Sequence, residues 1–536
     1  FRQESYRYMS IYLGVDIGTT AVKVLAMSAE GQVLALASRE YQYQTPRPGW
    51  VEQDAEDWWR LVCEGVREVT AQVEGTVAAL ALSTQGDTVV PLDADGRALA
   101  PAITWMDTRS LPQVARLVSE EQLWHRITGA SPAPFAAMSS LLWWREERPE
   151  VFEQAARFAL VADLVIERLT GAAVCDAPNA SRTMLYDIEK RRWAPELVER
   201  VGVSEERLPR VAESGTVVGT VRPEVAEELG LSPQTQAVLG GHDQTCAAVG
   251  CGVVAPGSLL LSCGTAWVAL AATEGPVWDE QRALHAYCHA VPGGYVSLGA
   301  FAGGNLLRWF RDEFWRDSLT EGPDTIRPAV RNGSDHLSGE RNPQSTAGRM
   351  VSGPSNDRTY DAITTEAAQA WSEGRPPLVF LPHFYGASGP VACPQARGAW
   401  LGLTLSHTRG DMALALLQGV ARQAAWCVEN LERQGGQVEQ VRMIGGGARS
   451  RFWTQLVADA IQKPVALPAV REAAAFGAAL IAATAAGEFR SLQEAAGTVE
   501  IVGEVRPERE ADPAAGERVR KLMMGLKGTW EELAGM

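Results

Sequence analysis

No segment of the 536-residue chain reads G-x-x-x-x-G-K-[ST], which excludes a Walker-type phosphate loop. Cysteine is sparse: the eight residues lie far apart, with no C-x-x-C pair. Several sit inside apolar runs, such as Cys246, Cys263 and Cys427, and read as reduced, buried thiols of a cytoplasmic protein. The run His285-Ala286-Tyr287-Cys288-His289 has no partner cluster elsewhere, and structural zinc sites show repeated ligand pairs, so no metal centre is expected there. The uncharged run from Ala473 to Gly487 is too short and too rich in Ala and Gly to span a bilayer. The stretch Phe1 to Tyr8 is polar and aromatic and is no signal peptide; residues 1–9 are expected to be a leader before a natural start at Met9-Ser10-Ile11. Positive charge is in deficit, with 49 Lys+Arg against 65 Asp+Glu and a net charge of −16. That balance argues against a nucleic-acid partner and against an anionic membrane surface.

What remains is a chain of ordinary apolar (46%) and charged (21%) content, long enough for two large domains. Strand-like and helix-like patterns alternate throughout, which predicts an α/β protein. Val77–Ser83, Thr88–Leu92 and Ala237–Gly241 read as strands. Ser139–Glu147, Ala155–Thr170, Gln244–Gly250, Asp411–Gln434 and Ala473–Ala486 read as helices, the last packed through small residues. Gly250-Cys251-Gly252-Val253-Val254-Ala255 matches G-x-G-x-x-A, but it follows a helix instead of a strand, so it reads as a turn between domains. The boundary is expected near Gly250–Pro256, giving domains over 10–252 and 253–536. The stretch Arg331–Asp357, polar and rich in Gly, Ser, Asn and Pro, is expected to be a mobile excursion, and Glu504–Glu517 a surface connection to a last helix.

Chemistry concentrates at three glycine sites. In Leu13-Gly14-Val15-Asp16-Ile17-Gly18-Thr19-Thr20 an apolar strand runs into a carboxylate, a glycine and two hydroxyls, then returns over Val22–Met27. The glycine lets backbone approach a ligand, the hydroxyls and amides can donate to phosphate oxygens, and Asp16 suits a hydrated Mg²⁺. Pro256-Gly257-Ser258-Leu259-Leu260-Leu261-Ser262-Cys263-Gly264-Thr265 repeats the pattern before Trp267–Ala271. In Val441-Arg442-Met443-Ile444-Gly445-Gly446-Gly447-Ala448-Arg449-Ser450 a strand breaks into glycines and a helix begins, which exposes amides to a nucleotide. Two similar hairpins, one per half, predict a duplicated nucleotide-binding fold with its ligand between the halves. Asp243, in Gly240-Gly241-His242-Asp243-Gln244, opens a helix. It reads either as a helix cap or as a carboxylate that accepts a hydroxyl proton. The loops Ser83-Thr84-Gln85-Gly86-Asp87-Thr88 and Trp105-Met106-Asp107-Thr108-Arg109 offer carboxylates, amides and an aromatic plate for a polyhydroxylated substrate, or plain turn chemistry.

The order of these motifs resembles the FGGY family of carbohydrate kinases, from Ile11 to about Gly487. Pro48-Gly49-Trp50-Val51-Glu52-Gln53-Asp54 and Arg397-Gly398-Ala399-Trp400-Leu401-Gly402-Leu403-Thr404-Leu405-Ser406-His407-Thr408-Arg409 add to the match. The resemblance implies two actin-like (ribonuclease H-like, hexokinase-type) α/β domains flanking a central cleft, the first holding sugar and the second ATP. It implies phosphorylation of a sugar or polyol with ATP and Mg²⁺ as cofactors. Asp243 matches the family's catalytic base, and Asp16 would organise the metal. Gly18, Thr19, Thr20 and Lys23 would meet the phosphates, with Gly264 and Thr265 opposite. Gly303, Gly304, Gly446, Gly447 and Arg451 resemble the adenosine side. Gln85, Gly86, Asp87 and Gln244 match sugar contacts, and Asp107 is read with them. Homodimers are common among such kinases.

The chain departs from its relatives where substrate is chosen. Xylulokinases usually show Gln-Met-His-Gly at the sugar loop and glycerol kinases Gln-Arg-Glu-Thr, where this chain has Gln85-Gly86-Asp87-Thr88; Gly386-Ala387-Ser388-Gly389-Pro390 stands where many relatives carry Gly-Glu-Arg-x-Pro. Loss of the basic residue argues against glycerol, and an acidic Asp87 disfavours gluconate unless a cation intervenes. The expected substrate is a neutral ketopentose such as xylulose, then a tetritol or pentitol, with gluconate as the alternative. The competing class is an actin- or chaperone-like ATPase whose output is a conformational change.

Overall fold

A computed structural model describes residues 10–315, 354–374, 378–384, 386, 387, 389, 391, 393–510, 512 and 514–534. The leader residues 1–9 and most of the expected excursion, 331–353, lie outside the described residues. The tail of that excursion, 354–357, is not loop: it opens the helix Pro354–Glu373.

The first half builds on β1 (Ser10–Ile17), β2 (Ala21–Ser28), β3 (Val33–Glu40), β4 (Thr76–Thr84), β5 (Val217–Thr220) and β6 (Gln236–His242). They form one six-stranded sheet in the order β5-β6-β4-β1-β2-β3. β1 and β2 make an antiparallel hairpin, and β4 lies parallel to both β1 and β6. The second half builds on β7 (Gly257–Cys263), β8 (Ala266–Thr273), β9 (His285–Cys288), β10 (Tyr295–Ala302), β11 (Val438–Gly445), β12 (Val465–Pro468) and β13 (Ile501–Val505). Its seven-stranded order is β9-β10-β8-β7-β11-β12-β13. Here too a hairpin, β7–β8, carries an antiparallel third strand on one side and a parallel strand, β11, on the other. The two sheets repeat one plan, as the paired hairpin motifs predict, and no strand is shared between them.

Parallel strands buried on both faces read as continuous apolar runs. β1 has five consecutive buried residues and β4 six. Their registers bring the ends of three parallel strands side by side: Asp16 pairs with Ser83 and Gly241 with Ser83, Ile17 with Thr84 and His242 with Thr84. Open α/β sheets bind ligands beyond such carboxyl ends.

The segment Ala155–Thr170 is not one helix. Arg157–Leu160 is a strand that pairs with Val89–Leu92, and the helix starts at Val161. The apolar run suits either state over so few residues, and pairing with a waiting strand edge decides it. The helix Ala473–Ala485 is as expected, and its placement is informative. It comes late in the chain yet packs on β1, β4 and the helix Asp243–Gly250 of the first half. Small residues permit this: a Cβ on Gly14 would meet the Ala475 carbonyl oxygen at 1.8 Å, and one on Gly477 would meet that of Cys246 at 1.8 Å. No helix among the described residues is long and apolar enough to cross a membrane, and all eight cysteines are free and buried.

Candidate active site

Asp243 is the first residue of its helix, with His242 as the cap position and no capping hydrogen bond from a side chain. Of the two readings of this aspartate, the geometry does not make it the cap, and it leaves one carboxylate oxygen open. Its Oδ1 is buried without a hydrogen-bond partner. His242 Nε2 comes within 3.2 Å of it, but without hydrogen-bond geometry, and burial holds that imidazole neutral by pushing its pKa well below the usual value. The Asp243 pKa is raised to about 7, first by burial and then by the negative charge of Asp16, opposed by a hydrogen bond from the Gln244 backbone and by the charge of Arg182. A carboxylate with that affinity is poised to take a proton near neutral pH.

Asp16 accepts a hydrogen bond from the Ser83 hydroxyl at 2.7 Å. Burial raises its pKa to about 6, with Ser83 and Lys23 opposing and Glu472 assisting. Among the described residues no group of three or more His, Cys, Asp or Glu could hold a metal by itself. An ion at Asp16 would therefore complete its shell with water and ligand oxygens, as Mg²⁺ does. Lys23 does not point to free space: its ammonium donates to Glu472 at 2.5 Å, a contact between the two halves of the chain.

The sugar-loop candidates reach the β1–β2 turn through a chain of hydrogen bonds. Gln85 donates to Gln53 at 2.7 Å, Gln53 donates to the Thr19 carbonyl at 2.7 Å, and the Trp105 indole donates to the Thr19 hydroxyl at 2.9 Å. The expected phosphate turn and the sugar loop are thus tied together. Gly86 has no room for a side chain, since a Cβ would meet His242 Cδ2 at 2.6 Å. Asp87 takes a left-handed φ of 62°, uncommon for a residue with a side chain. Its pKa is raised to about 6 by burial, and Arg182 opposes that rise.

One set of atoms stands out. Thr84 Oγ1, Gln85 Oε1, Asp87 Oδ1, Thr88 Oγ1, Asp243 Oδ1 and Gln244 Oε1 are all buried and all without a partner. They follow two neighbouring parallel strands. Each unmatched buried polar group costs about 1–3 kcal/mol, and hydroxyl groups of a ligand would be suited to satisfy such a set.

Asp107 differs from this set. Its oxygens accept from the Val51 amide at 2.6 Å and from Arg109, whose guanidinium lies 3.7 Å from the Trp50 ring centre. It braces the Trp50 segment and has no free acceptor directed at a ligand.

The glycine sites of the second half fall in two groups. Gly264, Thr265, Gly303, Gly304 and Gly447 gather around Trp267. The Gly304 and Asn305 amides donate to the carbonyls of Gly264 and Thr265 at 3.2 and 2.9 Å, while a Cβ on Gly303 or Gly447 would strike the Trp267 ring at 2.0 or 2.8 Å. Gly446 faces a cavity of about 790 Å³, lined also by Gly445, Ala448, Arg449 and residues from Leu467 to Glu472. That volume lies within the range of small-molecule sites, and a Cβ on Gly446 would meet only the Cys263 carbonyl at 3.9 Å. Thr20 and Arg451 are exposed, and Arg451 opens the helix Arg451–Ile461 under a Ser450 cap. Gly18 sits in the β1–β2 turn, its carbonyl accepting from the Tyr41 hydroxyl at 2.5 Å.

Sequence reading missed Arg182, which binds Asp87, and Glu472, which binds Lys23. Both lie about 95 residues or more from their partners, so no local spacing could have revealed them.

The family model described as "FGGY family of carbohydrate kinases, N-terminal domain" matches residues 11–250, and its C-terminal counterpart matches 259–486. The chain is 30% identical to the xylulose kinase of Escherichia coli (strain K12), over 90% of this chain and 92% of that one. It is 28% identical to the gluconokinase of Bacillus subtilis (strain 168), over 90% and 89%. The crystal structure of xylulose kinase from Rhodospirillum rubrum superposes with a TM-score of 0.81 at 26% identity, covering 98% of this chain and 99% of that one.

Proposed function

The chain belongs to the FGGY family of carbohydrate kinases, and from that premise we propose that it transfers the γ-phosphate of MgATP to a hydroxyl of a neutral ketopentose of the xylulose type. The observation that carries the sugar side is the set of buried, unpartnered acceptors and hydroxyls around Asp243. When bound, MgATP supplies the phosphoryl group and the charge neutralisation that such a transfer needs.

The roles we assign follow from position. Asp243 holds the proton that leaves the attacking hydroxyl. Asp16, backed by Ser83, holds the metal. Gln85, Gly86, Asp87 and Gln244 orient the sugar, and Asp107 keeps the Trp50 segment in place behind them. Gly18, Thr19, Thr20 and Lys23 serve the phosphates from the first half, with Gly264 and Thr265 facing them. Gly446 and its cavity serve the nucleotide, with Gly303, Gly304 and Gly447 shaping the neighbouring turns, and Arg451, exposed at the start of the next helix, is assigned to the same ligand. For Lys23 this role requires that it leave Glu472. We place the domain boundary between His242, where the first sheet ends, and Gly257, where the second begins.

A second reading has a specific observation behind it. Asp87 disfavours gluconate only where no cation stands beside it, and Arg182 stands there at 2.9 Å. Gluconate therefore stays in the comparison. The deciding experiment is an ADP-release assay over ketopentoses, tetritols, pentitols, hexoses, glycerol and aldonates. The expected result is the highest kcat/KM with a ketopentose. Gluconate or glycerol outperforming every neutral pentulose and polyol would overturn the reading.

A further inference from the structure

The sugar loop carries a cation that no motif marks. Arg182 ends the helix Ala177–Arg182, and its Nη2 and Nε donate to Asp87 Oδ2 at 2.9 and 3.2 Å. The pair is enclosed, with side-chain exposures of 12% for Arg182 and 5% for Asp87. The guanidinium carbon lies 5.4 Å from the Phe135 ring centre and 5.3 Å from that of Tyr287. Beside it, the Cys288 amide donates to the Ser181 hydroxyl at 3.2 Å. Phe135 belongs to the first half, and Tyr287 and Cys288 to β9 of the second, so both halves fix the position of this charge.

The consequence for Asp87 is chemical. An ionised carboxylate offers two oxygens. Arg182 consumes Oδ2, while Oδ1 is buried with no partner. Asp87, with a left-handed φ of 62°, is the centre of a tight turn in which the Thr88 amide donates to the Gly86 carbonyl at 2.7 Å, and that turn fixes where its carboxyl group sits. Arg182 has one guanidinium nitrogen, Nη1, that makes no hydrogen bond among the described residues. A planar fork fixed on one side by a carboxylate and wedged between aromatic rings keeps its remaining N–H groups in a set direction.

We propose that Arg182 is a specificity-determining residue, which with Asp87 forms a rigid donor–acceptor pair that reads two adjacent oxygens of the sugar. One substrate hydroxyl donates to Asp87 Oδ1, and a neighbouring oxygen accepts from the guanidinium. A hydroxyl beside a ketose carbonyl matches the pair. A substrate that lacks either oxygen leaves a buried charge unmatched and is rejected. This inference rests on the reading of the cleft as a sugar site and names the two atoms that choose the sugar.

The test compares wild type with Arg182→Met, Arg182→Lys, Asp87→Asn and the double variant Asp87→Asn/Arg182→Met, by steady-state kinetics on xylulose. Loss of a hydrogen bond to a charged group predicts a KM for xylulose raised roughly 10- to 100-fold in Arg182→Met, with the KM for ATP moved far less. Arg182→Lys should recover part of the loss, because an ammonium restores the charge but not the fork. The double variant should lose much less than the product of the single losses, because both changes strike one pair. A xylulose KM within about threefold of wild type in Arg182→Met, or losses that multiply, would overturn the proposal. Should Arg182→Met fail to fold, Arg182→Lys decides: a wild-type xylulose KM in that variant defeats the idea. If the wild type phosphorylates no sugar, the sugar reading falls and the proposal with it; if it does and the variants match it, only the proposal falls.

Discussion

Asp243 is where the chemistry is most exposed to test. Replacing it by asparagine keeps the shape and removes the proton acceptor, so turnover should fall by about 10²- to 10⁴-fold while the melting temperature does not decrease. A rate within a few-fold of wild type would take Asp243 out of the mechanism. The same residue sets a pH dependence. Folding raises the carboxyl pKa from 3.8 to about 7 at Asp243 and to about 6 at Asp16 and Asp87. The folded protein therefore binds more protons than the unfolded chain across that interval. The stability these groups contribute is present below about pH 4 and is lost as pH rises through 6 to 7. The ligand-free enzyme should melt at a lower temperature at pH 7.5 than at pH 5.5, and the drop should be smaller in Asp243→Asn. An equal drop in both proteins would show that Asp243 does not carry the effect. Activity runs the opposite way: kcat/KM should rise with pH through an apparent pKa near 7, because the base must be unprotonated.

At the scale of elements, glycine positions separate packing from binding. On the helix Ala473–Ala485, a methyl group at Gly477 would meet the Cys246 carbonyl oxygen at 1.8 Å and the Gly250 amide nitrogen at 2.7 Å. Gly477→Ala should cost roughly 1–3 kcal/mol or more, because the obstruction is backbone and cannot step aside. Thermal unfolding that matches wild type would mean the two helices are less closely seated than described. The strand-to-helix turn after β11 gives the complementary case. A Cβ at Gly447 points into Trp267 and Cys263, so bulk there disturbs packing as well as any ligand. Gly446 faces the 790 Å³ cavity. Gly446→Val should raise the KM for ATP several-fold while leaving the sugar KM and the melting temperature near wild type. A change confined to the sugar KM would reverse the assignment of the halves.

At the scale of the molecule, the Lys23–Glu472 pair joins the two halves, with side chains 31% and 28% exposed. Partly exposed ion pairs are worth about 0.2–1 kcal/mol. If Lys23 must leave Glu472 to meet phosphate, Glu472→Gln should lower the KM for ATP by up to about fivefold at low salt, and less at high salt where the pair is screened. An ATP KM that rises instead would assign Glu472 a direct part in holding the nucleotide. Both halves also meet at Arg182, between Asp87 on one side and Tyr287 on the other. The halves thus meet through a charged contact near the phosphate turn and through aromatic contacts beside the sugar loop, where Tyr287 also packs on His242 and His285 on Phe135.

The sequence by itself determined the α/β alternation, the repeated strand–turn–strand plan, the family, and the loops that reach the cleft. Each of these is written in local order: apolar runs ending in Asp16-Ile17-Gly18-Thr19 or Cys263-Gly264-Thr265 carry their own turn chemistry, and a helix opening on Asp243 needs only the residues beside it. Where local signals were ambiguous, as at Arg157–Leu160, the strand edge of Val89–Leu92 chose the outcome. Only the tertiary structure decided which carboxylates are free. Asp107 and Asp87 look alike in sequence, yet one is saturated by Arg109 and the Val51 amide while the other keeps an unpartnered oxygen. That difference depends on strand register and on an arginine 95 residues away. Hydrogen-bond saturation and desolvation belong to the packed molecule, and no spacing within the chain encodes them.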